Sequence, residues 1–173
     1  MNVLEKFTEI NTFVFDVDGV LTDGTVILLE NGLQARTMNV KDGLALQLAQ
    51  RAGYRVLIVS GGNSAPVADR LAYLGLTEIH LGVKDKAGLV QQYLHREGLD
   101  WKTVLFMGDD LPDLPVLERC GLPCCPEDAV PEVKKRSLYI SPFPGGRGCV
   151  RDVIEKVLKL AHRWNIDPNV ASR

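Results

Sequence analysis

Short apolar runs alternate along the chain with longer segments in which apolar residues recur every three or four positions. The apolar runs are bounded by Gly, Asp or Ser and predict strands at residues 12–15, 54–60, 78–81, 103–109 and 137–140. The periodic segments predict helices over residues 43–53, 64–75, 86–98, 111–121 and 148–164. Because strands alternate with helices, the pattern predicts an α/β fold built around a parallel sheet.

Residues 24–40 interrupt this alternation. Two extended runs flank Glu30-Asn31-Gly32, and Asn-Gly is a strong signal for a hairpin turn. The segment therefore predicts a β-hairpin inserted after the first strand. Its apolar positions include Val26, Ile27, Leu28, Leu29 and Met38. Since a free hairpin should not expose that much apolar surface to water, we expect it to contact a partner subunit.

Composition and charge narrow the class of protein. The chain has 173 residues, of which 46% are hydrophobic and 24% charged, so we expect one soluble globular domain over residues 1–173 with a loose tail at 167–173. A net charge of -2 disfavours nucleic-acid binding. No apolar stretch approaches the roughly 20 residues that span a bilayer, and the N-terminus lacks a signal pattern, so we expect a cytoplasmic protein without a membrane role.

The four cysteines raise the question of a zinc site. Cys120, Cys124 and Cys125 lie close together in the sequence, and Cys149 lies further on. Zinc ligands usually come as two spaced pairs, whereas no histidine lies near this group. Reduced structural thiols are the favoured interpretation.

Polar residues collect where the predicted strands end, which is where open α/β sheets bind ligands. The residues that follow the strands are Asp16 and Asp18, Ser60-Gly61-Gly62, Lys84 and Lys86, and Gly108-Asp109-Asp110. Two carboxylates at the end of a buried strand cost stability unless a cation or a reaction uses them. Carboxylates, a hydroxyl beside glycines and an ammonium group are suited to a phosphate and a magnesium ion.

The order of these motifs, hhhhDVDGVLTDG, hhhhSGG, a lysine and hhhhGDDLPD, resembles the haloacid dehalogenase superfamily of phosphohydrolases. The resemblance covers about residues 12–151. It implies a Rossmann-like three-layer sandwich and a Mg²⁺-dependent phosphatase. In that family pattern, Asp16 is the nucleophile that forms an aspartyl-phosphate, and Asp18 is the general acid and then the general base. Asp16, the backbone carbonyl of Asp18, and Asp109 would hold the Mg²⁺.

The resemblance also assigns supporting roles. Ser60 would hydrogen-bond the phosphoryl group and Lys86 would neutralise it, although Lys84 competes for the lysine position. Asp110 or Asp113 would support the metal ligands, or alternatively would only cap the following helix. Ser60 with its glycines has a plainer interpretation as an ordinary turn between a strand and a helix.

The chain has no room for the cap domain of larger members, because only the hairpin occupies the first insertion point. This plan, with MNVKDG after the hairpin and PGGRGCVRDVIEKVL near the end, is similar to the 3-deoxy-D-manno-octulosonate 8-phosphate phosphatases. The similarity implies that 3-deoxy-D-manno-octulosonate 8-phosphate is the substrate. It also implies that the protein is a homotetramer in which the hairpins form a central barrel. A neighbouring subunit would then help to shape each active site.

The same similarity implies a set of residues that bind the substrate. Lys41 and Asp42 would border it, with Gly61 and Gly62, and Arg147 in the loop 145–148 would meet a carboxylate in its own or a neighbour's site. A surface charge is the alternative for Arg147. Gly62 stands where the subfamily often has arginine, so 2-keto-3-deoxy-nonulosonate 9-phosphate or another small sugar phosphate remains an alternative substrate.

Two functions of other classes are less well supported. A phosphoacceptor signalling domain also combines aspartates, a hydroxyl residue, a lysine and Mg²⁺, but its acidic pair and its phosphoacceptor lie on different strands. Here the DxD motif follows one strand and GDD comes after the lysine. An inactive homologue is disfavoured because no motif residue is missing.

Overall fold

Six parallel strands form the central sheet in a computed structural model, which describes residues 2–165. In chain order the strands are β1 (Thr12–Phe15), β2 (Ile27–Leu28), β3 (Gln34–Ala35), β4 (Arg55–Val59), β5 (Glu78–His80), β6 (Val104–Met107), β7 (Leu122–Cys125) and β8 (Tyr139–Ile140). The helices are α1 (Val3–Thr8), α2 (Val40–Arg51), α3 (Ala65–Tyr73), α4 (Lys86–Glu97), α5 (Leu114–Leu117), α6 (Pro131–Arg136) and α7 (Cys149–Leu160). The strand order of the sheet is β5-β4-β1-β6-β7-β8, so β1 lies between β4 and β6.

The two faces of the sheet carry separate apolar cores, which makes the fold a three-layer α/β sandwich. Phe13 and Phe15 of β1 lie in a core with residues of α2, α3 and α7, whereas Val14 lies in the opposite core with residues of α4, α5 and α6. Successive strand residues point to opposite faces, so a strand covered on both sides is apolar throughout. All four residues of β1 are buried for this reason.

Helix α7 packs on the sheet along the apolar face that its periodicity predicts. The buried residues of that face are Cys149, Val150, Val153, Ile154, Val157 and Leu158. The helical periodicity also predicts Ala161 on this face, but Ala161 is the exposed C-cap residue of the helix. The helix also packs against α2.

Three elements were not predicted from the pattern. They are α1, α6 and β7. The last of these, Leu122–Cys125, is a buried strand that contains Pro123 and two of the clustered cysteines. These residues do not form the apolar run that predicts a strand. All four cysteines are buried and free, and burial raises the pKa of the Cys120 thiol to about 12.

The predicted helices differ from the observed ones at their ends, and α7 ends at Leu160, before the predicted end at residue 164. Helix α2 begins at Val40 because the side chain of Asn39 accepts hydrogen bonds from the N–H groups of Lys41 and Asp42. The predicted helix over residues 111–121 is a 3₁₀ turn, Leu111–Asp113, followed by the four-residue α5.

The hairpin forms as predicted but is small. Strands β2 and β3 pair antiparallel over two residues each, and Gly32 adopts a φ of 80° in the turn between them. Exposed apolar residues on it include Ile27, Leu28 and Leu33, of which Leu28 is 76% exposed. Within residues 2–165, no helix has the length and apolar character to cross a membrane. The expected tail at 167–173 lies outside the described residues.

Candidate active site

A cavity of about 300 Å³ opens at the carboxyl ends of β1, β4 and β6. The predicted motif residues that line it are Asp16, Asp18, Ser60, Gly61, Gly62, Lys84, Lys86, Asp109, Asp110 and Asp113. The fold therefore brings the four motifs together in one place, because parallel strands end at the same edge of the sheet.

Asp16 follows β1 directly and begins a tight turn over residues 17–21. Its Oδ1 accepts a hydrogen bond from the N–H of Val17 at 2.7 Å, which orients the carboxylate at the floor of the cavity. The turn requires a left-handed residue, and Gly19 adopts a φ of 84° there. A Cβ on Gly19 would overlap the carboxylate of Asp109, so the glycine also makes room for the second acidic motif.

Lys86 connects two of the carboxylates. Its Nζ donates to Oδ1 of Asp113 at 2.7 Å and lies 3.0 Å from Oδ1 of Asp16. The residue is only 7% exposed, whereas Lys84 lines the same cavity as an exposed residue. Of the two candidate lysines, Lys86 is thus the one that is ion-paired with Asp16.

Negative charge in the cavity exceeds what Lys86 neutralises. Burial, followed by the charge of Asp113, raises the pKa of Asp16 to about 6 against the lowering effect of Lys86. Burial, then the charges of Asp16, Asp113 and Asp110, raises the pKa of Asp109 to about 7. Burial alone lowers the pKa of Lys86, but the two carboxylates outweigh it and raise the pKa. Perturbed groups of this kind are typical of a functional site.

Asp16, Asp109 and Asp113 have carboxylate oxygens within 4.8 Å of one another, and they form the one such cluster of possible metal ligands among residues 2–165. A hard divalent cation such as Mg²⁺ prefers an all-oxygen set of this kind and would offset the repulsion within it. The donor set therefore fits the predicted metal.

Asp110 and Asp113 act on the backbone around the cavity. Oδ1 of Asp110 caps the 3₁₀ turn by accepting from the N–H of Leu111. Oδ2 of the buried Asp113 accepts from the N–H of Asp109 at 2.9 Å, while its Oδ1 receives Lys86. Asp113 thereby fixes both the loop that carries Asp109 and the lysine.

Ser60 is buried at the end of β4, and its Oγ accepts a hydrogen bond from the N–H of Gly62 at 3.2 Å. A Cβ on Gly62 would lie 2.8 Å from Oδ2 of Asp18, so the absence of a side chain at position 62 leaves space for that carboxylate. The Ser60 hydroxyl and the two glycines border the cavity together.

Three residues that were predicted to bind substrate lie elsewhere in the single chain. Lys41 and Arg147 line a second cavity of about 560 Å³ with residues of α7. Asp42 is buried, and its carboxylate accepts from the N–H groups of Gly148 and Arg151 at 3.2 and 2.8 Å. None of the three lines the acidic cavity, because α2 carries residues 41 and 42 and the loop 145–148 packs on the back of the turn after β1.

Arg36 is a site residue that the sequence pattern did not reveal. It follows β3 of the hairpin, and its Nε donates to Oδ1 of Asp18 at 2.7 Å. No motif spacing connects the two residues, which are 18 positions apart. Arg36 also lines a cavity of about 1020 Å³ between the hairpin and the start of α3, as does Arg70.

Comparisons with known proteins identify the family. A family model described as haloacid dehalogenase-like hydrolase matches residues 75–148. The 3-deoxy-D-manno-octulosonate 8-phosphate phosphatase KdsC of Escherichia coli K12 is 35% identical over 157 residues, which cover 91% of this chain and 84% of the relative.

Two solved structures are similar throughout. The 3-deoxy-D-manno-octulosonate 8-phosphate phosphatase of Moraxella catarrhalis, in complex with magnesium ion, phosphate ion and KDO, has a TM-score of 0.88 and 33% identity, covering 91% of this chain and 90% of that one. The cobalt-bound phosphatase of Haemophilus influenzae has a TM-score of 0.85 and 30% identity, with coverage of 89% and 90%.

The parallel sheet, the two acidic motifs at its centre and the buried lysine define a haloacid dehalogenase-like hydrolase of the phosphatase class. Sequence identity over most of both chains identifies the family within that class. The chain belongs to the 3-deoxy-D-manno-octulosonate 8-phosphate phosphatase family.

Proposed function

We propose that this protein is a Mg²⁺-dependent phosphatase that hydrolyses 3-deoxy-D-manno-octulosonate 8-phosphate. The observation that carries the proposal is the cavity in which Asp16 is ion-paired with Lys86 and lies beside Asp109. The named activity of the E. coli relative and the ligands of the M. catarrhalis structure support the choice of substrate.

The chain's own residues supply the reaction. An oxygen of Asp16 attacks the phosphorus and forms an aspartyl-phosphate, while Asp18 gives a proton to the oxygen of the leaving alcohol. Asp18 then takes a proton from the water that hydrolyses the aspartyl-phosphate. Ser60 and Lys86 hold the phosphoryl oxygens. Mg²⁺ bound by Asp16, Asp109 and the backbone carbonyl of Asp18 would neutralise charge between the carboxylates and the phosphate.

Turnover assays test this proposal directly. Purified protein should release phosphate from 3-deoxy-D-manno-octulosonate 8-phosphate with Mg²⁺ and lose that activity in a chelator. A faster reaction with 2-keto-3-deoxy-nonulosonate 9-phosphate would instead favour the alternative substrate. Absence of turnover with any phosphomonoester would contradict the enzyme proposal and favour an inactive homologue, or a signalling domain if Asp16 still accepts a phosphoryl group.

The proposal extends to assembly and to the substrate's carboxylate. The apolar side chains exposed on the hairpin support a homotetramer in which the hairpins meet. Because Lys41 and Arg147 lie outside the acidic cavity of their own chain, they would serve the site of a neighbouring subunit, where Arg147 binds the carboxylate. Asp42 would shape that border through the backbone that it holds. The chain would act as a single domain in the cytoplasm.

A further inference from the structure

Arg36 extends from the hairpin to the side chain of Asp18. Its Nε donates to Oδ1 at 2.7 Å, and its Nη2 donates to Oδ2 at 3.4 Å. The Arg36 side chain is 9% exposed, whereas that of Asp18 is 37% exposed. The arginine is therefore enclosed by protein, while the carboxylate that it holds faces the cavity.

The two contacts are unequal, and this inequality defines what the pair can do. Oδ1 of Asp18 is held by a short charge-assisted hydrogen bond, whereas Oδ2 is held weakly and points to the space that Gly62 leaves open. One oxygen is thus anchored and the other is available to give or take a proton on the cavity side.

The Nε and Nη2 groups of the guanidinium are directed at Asp18 and Gln34. Nη2 also contacts Oε1 of Gln34, two residues earlier in the hairpin, at 3.5 Å. A side chain that is nearly buried and already joined to a carboxylate is better suited to orienting that carboxylate than to binding a second one.

Resting on the function proposed above, we infer that Arg36 is a positioning residue that holds Asp18 for proton transfer at Oδ2. Asp18 enters the first step protonated at Oδ2, with Oδ1 held by Arg36. The bond from Asp16 to phosphorus forms, the ester P–O bond breaks, and the Oδ2 proton goes to the leaving oxygen, which leaves Asp18 as a carboxylate that Arg36 stabilises. The hairpin is then part of the catalytic machinery as well as a surface for assembly.

Leaving groups that differ in their need for a proton test this role. Phenyl phosphate and p-nitrophenyl phosphate are similar in size and carry no carboxylate, but p-nitrophenolate leaves readily without a proton. The value of kcat/KM reports the steps through the release of the alcohol, so it includes the proton donation and excludes the later hydrolysis of the aspartyl-phosphate. A phosphorylated sugar acid is the third substrate, because its alkoxide also needs a proton.

For Arg36→Ala, kcat/KM should fall by about 10- to 100-fold for phenyl phosphate and the sugar acid, since general acid catalysis typically contributes about 10²- to 10⁴-fold. The fall for p-nitrophenyl phosphate should be less than about threefold. Arg36→Lys, which keeps the charge without the fork, should give intermediate losses and provides a second variant if Arg36→Ala does not fold. Arg136→Ala, which removes an exposed arginine outside the cavity, is the control and should retain the wild-type profile.

A double-mutant cycle checks that Arg36 acts through Asp18. In an Asp18→Asn background, Arg36→Ala should lower kcat/KM for phenyl phosphate by less than about twofold, since the group it positions is already gone. Equal losses on all three substrates would overturn the inference in favour of a structural role. A loss confined to the sugar acid would overturn it in favour of direct carboxylate binding. Failure of the wild type on every substrate would instead reject the proposed function.

Discussion

The acidic cavity and the hairpin are neighbours that are stabilised in different ways. Asp16 and Lys86 are buried between strands and helices of the central sheet, and their hydrogen bonds lie within one chain. The hairpin has strands of two residues and exposes Leu28 and Leu33 to solvent. The charged groups of the cavity are paired with one another, as Lys86 is with Asp16. The hairpin instead has apolar surface that is not covered by any of the described residues.

We expect the buried cavity to determine the chemistry and the assembly through the hairpin to determine the substrate selectivity. Reacting groups must be fixed closely, and buried strand ends provide that. Recognition of a sugar acid needs further cations, and within one chain the candidate cations Lys41 and Arg147 lie outside the cavity. The Arg36–Asp18 ion pair connects the two regions.

The largest effect is expected for Asp16→Asn, which removes the proposed nucleophile and alters the buried region alone. Turnover of every phosphate should fall by about 10⁴-fold or more, because an amide does not form the covalent intermediate. Unfolding measured in chelator should show no loss of stability, since burial and Asp113 already disfavour the charge on Asp16. Wild-type turnover by this variant would mean that the covalent mechanism is wrong.

A charge introduced on the hairpin should disrupt the contact between subunits and leave the acidic cavity intact. Leu28→Asp places a charge on a side chain that is 76% exposed in the monomer, so the fold should tolerate it. Light scattering should show the assembly dissociating to monomers, with the turnover of p-nitrophenyl phosphate nearly unchanged and that of the sugar acid reduced by about 10-fold or more, the loss expected for one charge-assisted contact. Leu138→Asp, at a site 52% exposed outside the hairpin, is the control. A wild-type protein that is monomeric would remove the basis for this prediction.

Arg147→Ala sharpens the comparison by removing one cation that lies in neither region of its own chain. If Arg147 binds the substrate's carboxylate in a neighbour's site, kcat/KM for the sugar acid should fall by about 10- to 150-fold, as expected for a contact of about 1.5 to 3 kcal/mol. Activity on p-nitrophenyl phosphate should change much less. In the Leu28→Asp background the substitution should have no further effect. Equal losses on both substrates would indicate that Arg147 supports the fold or the phosphate site.

The sequence predicted the residues whose position follows from a local pattern, and it did not predict those whose contacts depend on the tertiary structure. Asp16 and Asp109 could be placed in one cavity because each directly follows an apolar strand, and parallel strands end at one edge. Arg36 could not, because its contact depends on how the hairpin folds back over the turn after β1. The strand Leu122–Cys125 was missed for a local reason, since a proline and two cysteines gave no strand pattern of their own.

The contacts of Asp42 also depend on tertiary structure and could not be predicted from the sequence. Substitution of Asp42 should have the smallest effect of those considered, and the effect should be on the stability of the fold. Its carboxylate accepts from the N–H groups of Gly148 and Arg151, and the charged group that acts on it is Arg151, with the thiol of Cys149 nearby. Asp42→Ala leaves two buried donors unpaired and should lower the free energy of unfolding by about 1 to 3 kcal/mol. Asp42→Asn keeps one acceptor and should cost less.

The pH dependence of that cost tests the environment of Asp42 against a role in binding substrate. Burial raises the pKa of Asp42 from 3.8 to about 6, so the folded state binds its proton more tightly than the unfolded state does. Its contribution to stability is therefore complete below pH 3.8 and is lost as the pH rises through about 6. Relative to Asp42→Asn, the wild type should lose about 1.4 kcal/mol between about pH 5 and pH 8, as measured by denaturant unfolding. A flat difference between the two proteins, together with a raised KM for the sugar acid in Asp42→Asn, would show that Asp42 contacts the substrate and not only the backbone of α7.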